Sequence, residues 1–595
     1  VPEPTTGPLV GAWADAEGTR FRVWAPNARR VEVIVDGEHD LLATERGYWE
    51  SHLPGVGPGD CFWYQLDGGA VLPDPASMAQ PEGVHGSSAV VEPTFSWTDD
   101  GFVSPSLDDS VFYELHVGTF TRAGTFDAAI PHLTRLAELG VTTVELLPLS
   151  QFPGGRNWGY DGVLPYAVQD TYGGLDGLRR FVDAAHGHGL AVCVDVVHNH
   201  IGPEGNVLGR YGPYFTDRYR TPWGDALNFD GAGSDEVRSY FIGSATFLVE
   251  HAHIDAFRLD AVHAIIDNTA YPYVEQLTFE LHQLGRRLGR DVLVIAESAA
   301  NDPRLTLPVE EGGWGLDGQW DDDFHHALHV ALTGEREGYY EDYDGLADLA
   351  RSFEHGFVLE GRRSTSRGLH HGHPRLGVDP RRMVVFSANH DQVGNRLAGD
   401  RLTAQVDAER AAVAAAVACF SSSVPMLFMG DEHADPAPFP YFVSHTDPEL
   451  VEAVRKGRAE EFAAFSRGRT PPDPQAEATF RSAVLDHALA DEGGAGRGRW
   501  LLHQELLRLR GLFRPQARGG GMRVHVDVDA QLLVVVWHDR PGLSDVALAV
   551  LFADEVEPFD LPLLRGFEEV LDTSDGRWGP SLATGPCALL LAPEG

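Results

Sequence analysis

Four short stretches of this chain carry side chains suited to acid–base and nucleophilic chemistry, and each one closes an apolar run. They are Asp195-Val196-Val197-His198-Asn199-His200, Arg258-Leu259-Asp260 with His263 beyond it, Ala296-Glu297-Ser298, and Ser387-Ala388-Asn389-His390-Asp391. If the runs are strands that deliver their ends to one place, the carboxylates Asp260, Glu297 and Asp391 converge there. Cleavage of a glycosidic bond needs two such groups, one to attack or activate water and one to protonate the leaving oxygen. A third can hold sugar hydroxyls and keep the acid protonated by like-charge repulsion. Arg258 lies two residues from Asp260, so in a strand both point to one face while Phe257 and Leu259 point to the other. An Arg and an Asp in an apolar strand are costly to bury unless paired or used.

Each stretch alone also has a plainer reading. Arg258 and Asp260 can be an ion pair that fixes strand register. Asp195 can anchor a loop, His200, His263 and His390 can be satisfied core histidines, and Asn389 to Asp391 can cap a helix. Asp195, His198 and His200 are also zinc-type ligands, although the accompanying Glu and Asp residues fit sugar chemistry better.

The elements that must position these groups are legible between about residues 108 and 430. Apolar runs at 111–117, 141–149, 190–197, 254–259, 291–296, 319–320, 382–387 and 424–429 alternate with helical patterns such as 129–139 and 175–188. Gly140 follows the first of these helices as a stop signal. Near-continuous Val, Ile and Leu runs separated by helices indicate parallel strands covered on both sides. Eight of them predict a (β/α)8 barrel, whose active site lies at the C-terminal ends of the strands. No G-x-G-x-x-G follows a strand, which weighs against a dinucleotide-binding sheet.

The flanks read differently. Residues 8 to about 92 alternate with period two between Pro, Gly and Asn turns, as in a β-sandwich. Its aromatic residues could stack on sugars, and packing of a small core is the simpler reading. Residues 434–498 read as irregular, a helix is expected over 499–510 with Gly511 as its stop, and β alternation returns from about 519. The expected organisation is an N-terminal β-sandwich (1–95), a catalytic (β/α)8 barrel with insertions (96–515) and a small C-terminal β-sandwich (516–595).

Composition narrows the functional classes. The chain has 595 residues, with 46 basic against 88 acidic side chains and a net charge of −42. Nucleic acid and anionic membrane both require clustered basic surface, so neither is an expected partner. Lys456 is the sole lysine, which disfavours Schiff-base chemistry and a phosphate-binding lysine loop. Cys61, Cys193, Cys419 and Cys587 are far apart with no C-x-x-C pair, as expected of buried thiols in a reduced, cytoplasmic protein. The stretch Val1-Pro2-Glu3-Pro4 has neither the basic nor the apolar region of a signal peptide.

Taken together and in order, 195–200, 256–263, 296–298 and 386–391 resemble the four signature regions of the α-amylase family of retaining glycosidases. The resemblance implies Asp260 as nucleophile, Glu297 as general acid/base and Asp391 as transition-state stabiliser. It implies contacts to the reacting sugar from Arg258, His200 and His390, and a stacking tyrosine at Tyr160 within Asn157-Trp158-Gly159-Tyr160-Asp161. Arg258–Ile265, Asn301–Arg304, Gly318–His326, Asn389–Arg396 and Phe428–Glu432 are similar to a branch of that family that releases trehalose from maltooligosyl trehalose. That similarity adds Asp195, His263, Trp320, Asp321, Asp323, His326, Gln392 and Asn395 as substrate-binding candidates. It implies α-glucan substrates, no cofactor, no metal, and functional coupling to an enzyme that forms the trehalosyl end.

Overall fold

The computed structural model describes residues 10–374, 378–462, 470–491, 493–553, 562–578 and 585–593. Eight parallel strands close into a barrel: β1 (Phe112–Leu115), β2 (Thr143–Leu146), β3 (Ala191–Val196), β4 (Ala256–Leu259), β5 (Leu293–Ala296), β6 (Gly318–Trp320), β7 (Met383–Phe386) and β8 (Val424–Phe428). All eight expected runs are strands of this barrel. Alternation along each strand sorts its side chains. Phe112, Cys193, Ala256, Ile295, Trp320, Val384, Phe386 and Met426 fill the interior. Val144, Val192, Phe257, Leu259, Val294 and Val385 face the surrounding helices. Arg258 therefore points inward and its neighbours Phe257 and Leu259 outward.

The covering helices are α1 (Leu133–Leu139), α2 (Gly174–Gly187), α3 (Ser234–Ala252), α4 (Tyr273–Leu288), α5 (Asp322–Thr333), α6 (Leu346–His355), α7 (Ala408–Cys419) and α8 (Ala495–Phe513). Gly140 ends α1 in the left-handed conformation (φ 102°) and its N–H returns to the carbonyls of Leu136 and Ala137, which a residue with a Cβ does at a cost. The β5–β6 connection holds only the single-turn helices Pro303–Leu305 and Val309–Glu311 among the described residues.

Two expectations need correction here. Helix α8 does not stop at Gly511. It continues to Phe513, because Arg510 donates to the carbonyls of Cys419, Ser421 and Ser423 and pins the last turn to the barrel. The stretch 434–498, read as irregular, contains the helices Pro448–Phe462 and Glu477–Ser482. The first is polar nearly all round, so it offers no apolar stripe. Its start is marked instead by Asp447, whose Oδ1 accepts from the N–H groups of Glu449 and Leu450.

Before the barrel, a four-stranded antiparallel sheet built on Gly18–Trp24 and Tyr48–Pro54 packs on a second sheet built on Val31–Ile34 and Cys61–Leu66. Phe21, Val23, Val33, Phe62 and Tyr64 are the buried centre of this sandwich. After the barrel, the expected C-terminal sandwich presents one five-stranded antiparallel sheet among the described residues. Leu533, Val535 and Trp537 on one face join the main core, and Leu532, Val534 and Val536 on the other form a cluster of their own. Its edge strand Phe567–Asp572 was not apparent from the sequence. Three cysteines are buried as expected, whereas Cys61 is exposed. Among the described residues no helix is long and apolar enough to cross a membrane.

Candidate active site

The site is built upward from the guanidinium of Arg258. Strand register places Arg258 beside Asp195 on β3 and Ile295 on β5. Its Nη1 donates to Asp195 Oδ2 at 2.8 Å and to Asp260 Oδ1 at 2.7 Å. The indole of Trp320 lies against it, 4.4 Å from ring centroid to guanidinium carbon. Side-chain exposure rises from 0% at Arg258 to 11% at Asp260, 14% at Glu297 and 43% at Asp391. The charged groups thus form a funnel that opens to solvent at the C-terminal ends of the strands.

Asp260 follows β4 and is held from two sides. Asn199 Nδ2 donates to its Oδ2 at 2.6 Å and to its carbonyl at 2.8 Å. Burial pushes this carboxyl up, but Arg258, His200 and the Asn199 amide outweigh it and keep Asp260 below its ordinary value. Ala261, the next residue, adopts φ 41°, a left-handed conformation that costs a residue with a Cβ about 1 kcal/mol or more. That turn aims the Ala261 N–H at Glu297, whose Oε2 accepts it at 2.6 Å.

Glu297, at the end of β5, has the opposite electrostatics. Burial raises its carboxyl most, Arg258 opposes, and Asp260, Asp322 and Asp391 add to the rise, which reaches about 8. Two carboxyl groups pushed apart in this way are suited to separate roles, one ionised and one protonated at neutral pH.

Asp391 stands in the first turn of a short helix, His390–Gly394, that Asn389 caps by accepting from the N–H of Gln392 at 2.8 Å. His390 Nδ1 lies 2.5 Å from Glu114 Oε1, and its Nε2 lies 2.8 Å from the hydroxyl of Tyr160. Burial disfavours a charged His390, but Asp391 and Glu114 outweigh it and raise the ring to about 9. Tyr160 donates to Asp195 Oδ2 at 2.6 Å and stacks on His390 with ring centroids 5.2 Å apart. The carboxyl of Asp195 is raised to about 6, chiefly by burial. His200 lies against Asn199 Oδ1 and the carbonyl of Tyr160, and stacks on Trp223.

The structure thus brings together Tyr160, Asp195, His200, Arg258, Asp260, Glu297, His390 and Asp391. The remaining candidates divide. Gln392 donates to Asp322 Oδ1 at 3.2 Å and Asn395 to Asp391 Oδ1 at 3.5 Å, so both border the acidic rim. His263 is exposed on the turn Val262–Ala264. Trp320 is the barrel-interior platform under Arg258. Asp321 caps α5, accepting from the N–H of Phe324 at 3.1 Å. Asp323 is buried and accepts from Asn301 and from the N–H groups of Val358 and Leu359. His326 bonds the Tyr343 hydroxyl, 3.2 Å away, inside a tyrosine cluster. For Asp321, Asp323 and His326 the observed partners are structural. His198 turns away to the hydroxyl of Tyr273 at 2.9 Å, so it does not join Asp195 and His200 in one ligand set.

Three residues at the site were not singled out from sequence. Asp322 is raised to about 6, by burial and then by Asp391 and Asp323, and acts in turn on Glu297. Only the parity of α5 reveals that Asp322, rather than the aspartates beside it, faces the acid. Glu114 ends the inward face of β1, in the run Tyr113-Glu114-Leu115-His116, and its carboxylate in an apolar strand was a usable signal. Trp223 sits on the hairpin formed by Phe215–Thr221 and Gly224–Leu227. It stacks on His200 at 4.8 Å and is 48% exposed, so one face is open at the mouth.

Comparison with known proteins agrees with this geometry. Residues 95–220 match the alpha amylase catalytic domain family, and residues 9–77 match carbohydrate-binding module 48, the isoamylase N-terminal domain. A malto-oligosyltrehalose trehalohydrolase from Saccharolobus solfataricus is 45% identical over 80% of this chain and 83% of its own. One from a Rhizobium species (strain M-11) is 41% identical over 94% of both chains. A crystal structure from Salmonella typhimurium, assigned as an alpha amylase, superposes with a TM-score of 0.86 at 36% identity, covering 98% of this chain and 99% of the other. Similarity of that extent, spanning the barrel and its flanks, means that the chain belongs to the malto-oligosyltrehalose trehalohydrolase family of α-amylase-type glycoside hydrolases.

Proposed function

We propose that the enzyme hydrolyses the α-1,4 bond between a maltooligosaccharide and a terminal trehalose by double displacement, with Asp260 as nucleophile and Glu297 as general acid/base. The observation that carries the assignment is the opposite electrostatics of the two carboxyl groups around one guanidinium. Glu297, protonated at neutral pH, gives its proton to the glycosidic oxygen as Asp260 attacks the anomeric carbon. Trehalose leaves with that proton, and the maltooligosyl residue stays bonded to the Asp260 carboxylate. Glu297, now ionised, takes a proton from water, which attacks the same carbon and frees Asp260. Two inversions retain the α configuration.

A shared guanidinium keeps both carboxyl groups on the same side of the mouth, which suits the short separation of about 5–5.5 Å that retaining pairs use. Asp391, the most exposed of the three, accepts hydroxyls of the reacting ring, and cationic His390 bonds another. Tyr160 supplies the ring face beneath that sugar. Its substrate must come from an enzyme that converts the reducing end of a maltooligosaccharide to a trehalosyl unit, and unpaired cysteines support a cytoplasmic site of action.

The test is to supply maltotriosyl trehalose and plain maltopentaose side by side and identify the products. Release of trehalose with little cleavage of maltopentaose is expected. Transfer of chains into α-1,6 branches would overturn this reading in favour of a branching enzyme.

A further inference from the structure

The barrel interior beneath the mouth holds an acid that no cation serves. Glu145 is an inward residue of β2, since Val144 and Leu146 on either side of it face the helices. Strand register sets it beside Glu114 on β1 and Cys193 on β3, two residues before Asp195 on the same inward face. The neighbouring carboxylates have partners. Glu114 receives the N–H and Nδ1 of His390, and Asp195 and Asp260 share Nη1 of Arg258. Glu145 is 1% exposed and forms no ion pair among the described residues. An isolated charge buried there is costly, so the group keeps its proton. Burial first, then the carboxylates of Glu114 and Asp195, push it well above the ordinary range against the pull of Arg258 and His390.

The proton has one evident acceptor. Glu145 Oε2 and Asp195 Oδ1 are both sealed from solvent, and neither makes a hydrogen bond among the described residues. The other oxygen of Asp195, Oδ2, accepts from the Tyr160 hydroxyl at 2.6 Å and from Arg258 Nη1 at 2.8 Å. Two bare carboxyl oxygens in one dry interior are unfavourable; a proton on one makes them donor and acceptor. Glu114 is the poorer acceptor, because His390 already occupies both its oxygens, and Cys193 offers only a weakly accepting sulfur.

We propose that Glu145 donates a hydrogen bond to Asp195 Oδ1 and so acts as a positioning residue, keeping Asp195 in place to hold the Tyr160 hydroxyl and the Arg258 guanidinium at the reacting sugar. It touches neither substrate nor reacting atoms. The proposal rests on the glycosidase reading of the mouth and adds to it the interior support of that site. Without this donor, Asp195, already raised to about 6 chiefly by burial, takes up a proton at higher pH, and a neutral Asp195 loosens its grip on Arg258 and Tyr160.

The test compares two replacements in the full-length enzyme, with maltotriosyl trehalose as substrate. Glu145→Met fills the space with an adaptable side chain and removes the donor. Its kcat should fall about tenfold or more, as for a lost hydrogen bond to a charged group, and the acidic limb of the kcat/KM profile should move to higher pH. Glu145→Gln, whose amide N–H can stand in for the O–H, should recover most of the rate and return the limb. A role in packing alone would lower Tm without moving the limb. The proton is read without turnover: the infrared difference at neutral pH between native protein and Glu145→Gln should show the loss of a protonated-carboxyl carbonyl band.

Loss of carboxylate bands in its place would overturn the proposal, as would a Met variant with native rate and limb, or a Gln variant as impaired as Met. If Glu145→Met does not fold, Asp195→Asn decides: it exchanges the accepting carboxylate for an amide, so the Glu145 band should shift, and a band that stays in place overturns the bond. Failure of the unaltered enzyme to release trehalose would overturn the active-site reading and leave the infrared result standing.

Discussion

Arg258 Nη1 lies 2.7 Å from Asp260 Oδ1, whereas Nη2 of the same guanidinium is 3.7 Å from Glu297 Oε2. One cation thus hydrogen-bonds the first carboxylate and merely neighbours the second. A charge-assisted hydrogen bond holds the ionised form far more strongly than a nearby charge does. That asymmetry separates a nucleophile from an acid built from the same functional group.

Replacing Arg258 with Met should therefore act first on Asp260. The acidic limb of the kcat/KM profile should move up by about one to three pH units, and kcat should fall roughly 10- to 150-fold for the lost charged hydrogen bond. Thermal unfolding of the variant checks that the barrel survives with Asp195 deprived of its cation and held by the Tyr160 hydroxyl. An acidic limb that stays in place would show that Asp260 is not the group Arg258 holds ionised.

Activity and stability should both fall with alkali at Glu297. With Asp260 below its ordinary value and Glu297 at about 8, kcat/KM should fall on the acid side as Asp260 protonates and on the alkaline side as Glu297 ionises. The folded-state value of Glu297 lies above its unfolded value of 4.5. Its contribution to stability is complete below the unfolded value and is lost as pH rises through the folded one. Glu297→Gln should therefore match the native protein in Tm near pH 4 and exceed it at pH 8, while losing turnover. A Tm difference independent of pH would contradict the raised value.

Asp322 should tune the acid without touching its proton. Removing its charge with Asp322→Asn takes away one of the influences that raise Glu297, so the alkaline limb should move to lower pH with the acidic limb unchanged. A profile that moves at both ends, or at neither, would count against this role.

How much of this was legible in the sequence depended on parity. Strands buried on both faces carry a strong apolar signal, so all eight barrel strands could be found, and inward parity placed Arg258 with Asp260. The ends of those strands then identified the residues that gather at the mouth. Helix α5 was read less well. Asp321, Asp322 and Asp323 are adjacent, and one aspartate caps, one faces Glu297 and one is buried under α6 and its following loop. A sequence run gives no phase for a helix whose flanking residues are apolar on more than one side. The helix Pro448–Phe462 and the edge strand Phe567–Asp572 were invisible for the opposite reason, since neither buries a clear stripe. The contact between Glu114 and His390 joins residues 276 positions apart, and only closure of the barrel brings them together.

That contact supports a prediction of its own. Glu114→Gln removes the charge and weakens the hydrogen bond that help raise His390, so the ring should titrate below 9. Imidazole NMR, with His390→Asn to assign the signal, reads this directly. The rate should drop by about tenfold, as for one weakened charged hydrogen bond. A ring that still titrates near 9 would leave Asp391 as its sole effective partner.

The nucleophile can be identified chemically. The Glu297→Gln enzyme, incubated with an α-maltosyl fluoride whose leaving group needs no acid, should form the glycosyl-enzyme and hydrolyse it too slowly to turn over. Mass spectrometry of a peptic digest should then find the maltosyl adduct on the peptide that contains Asp260, and no adduct in an enzyme that also carries Asp260→Asn. An adduct on Asp391 or elsewhere, or fluoride release with no covalent sugar at all, would contradict the double-displacement account.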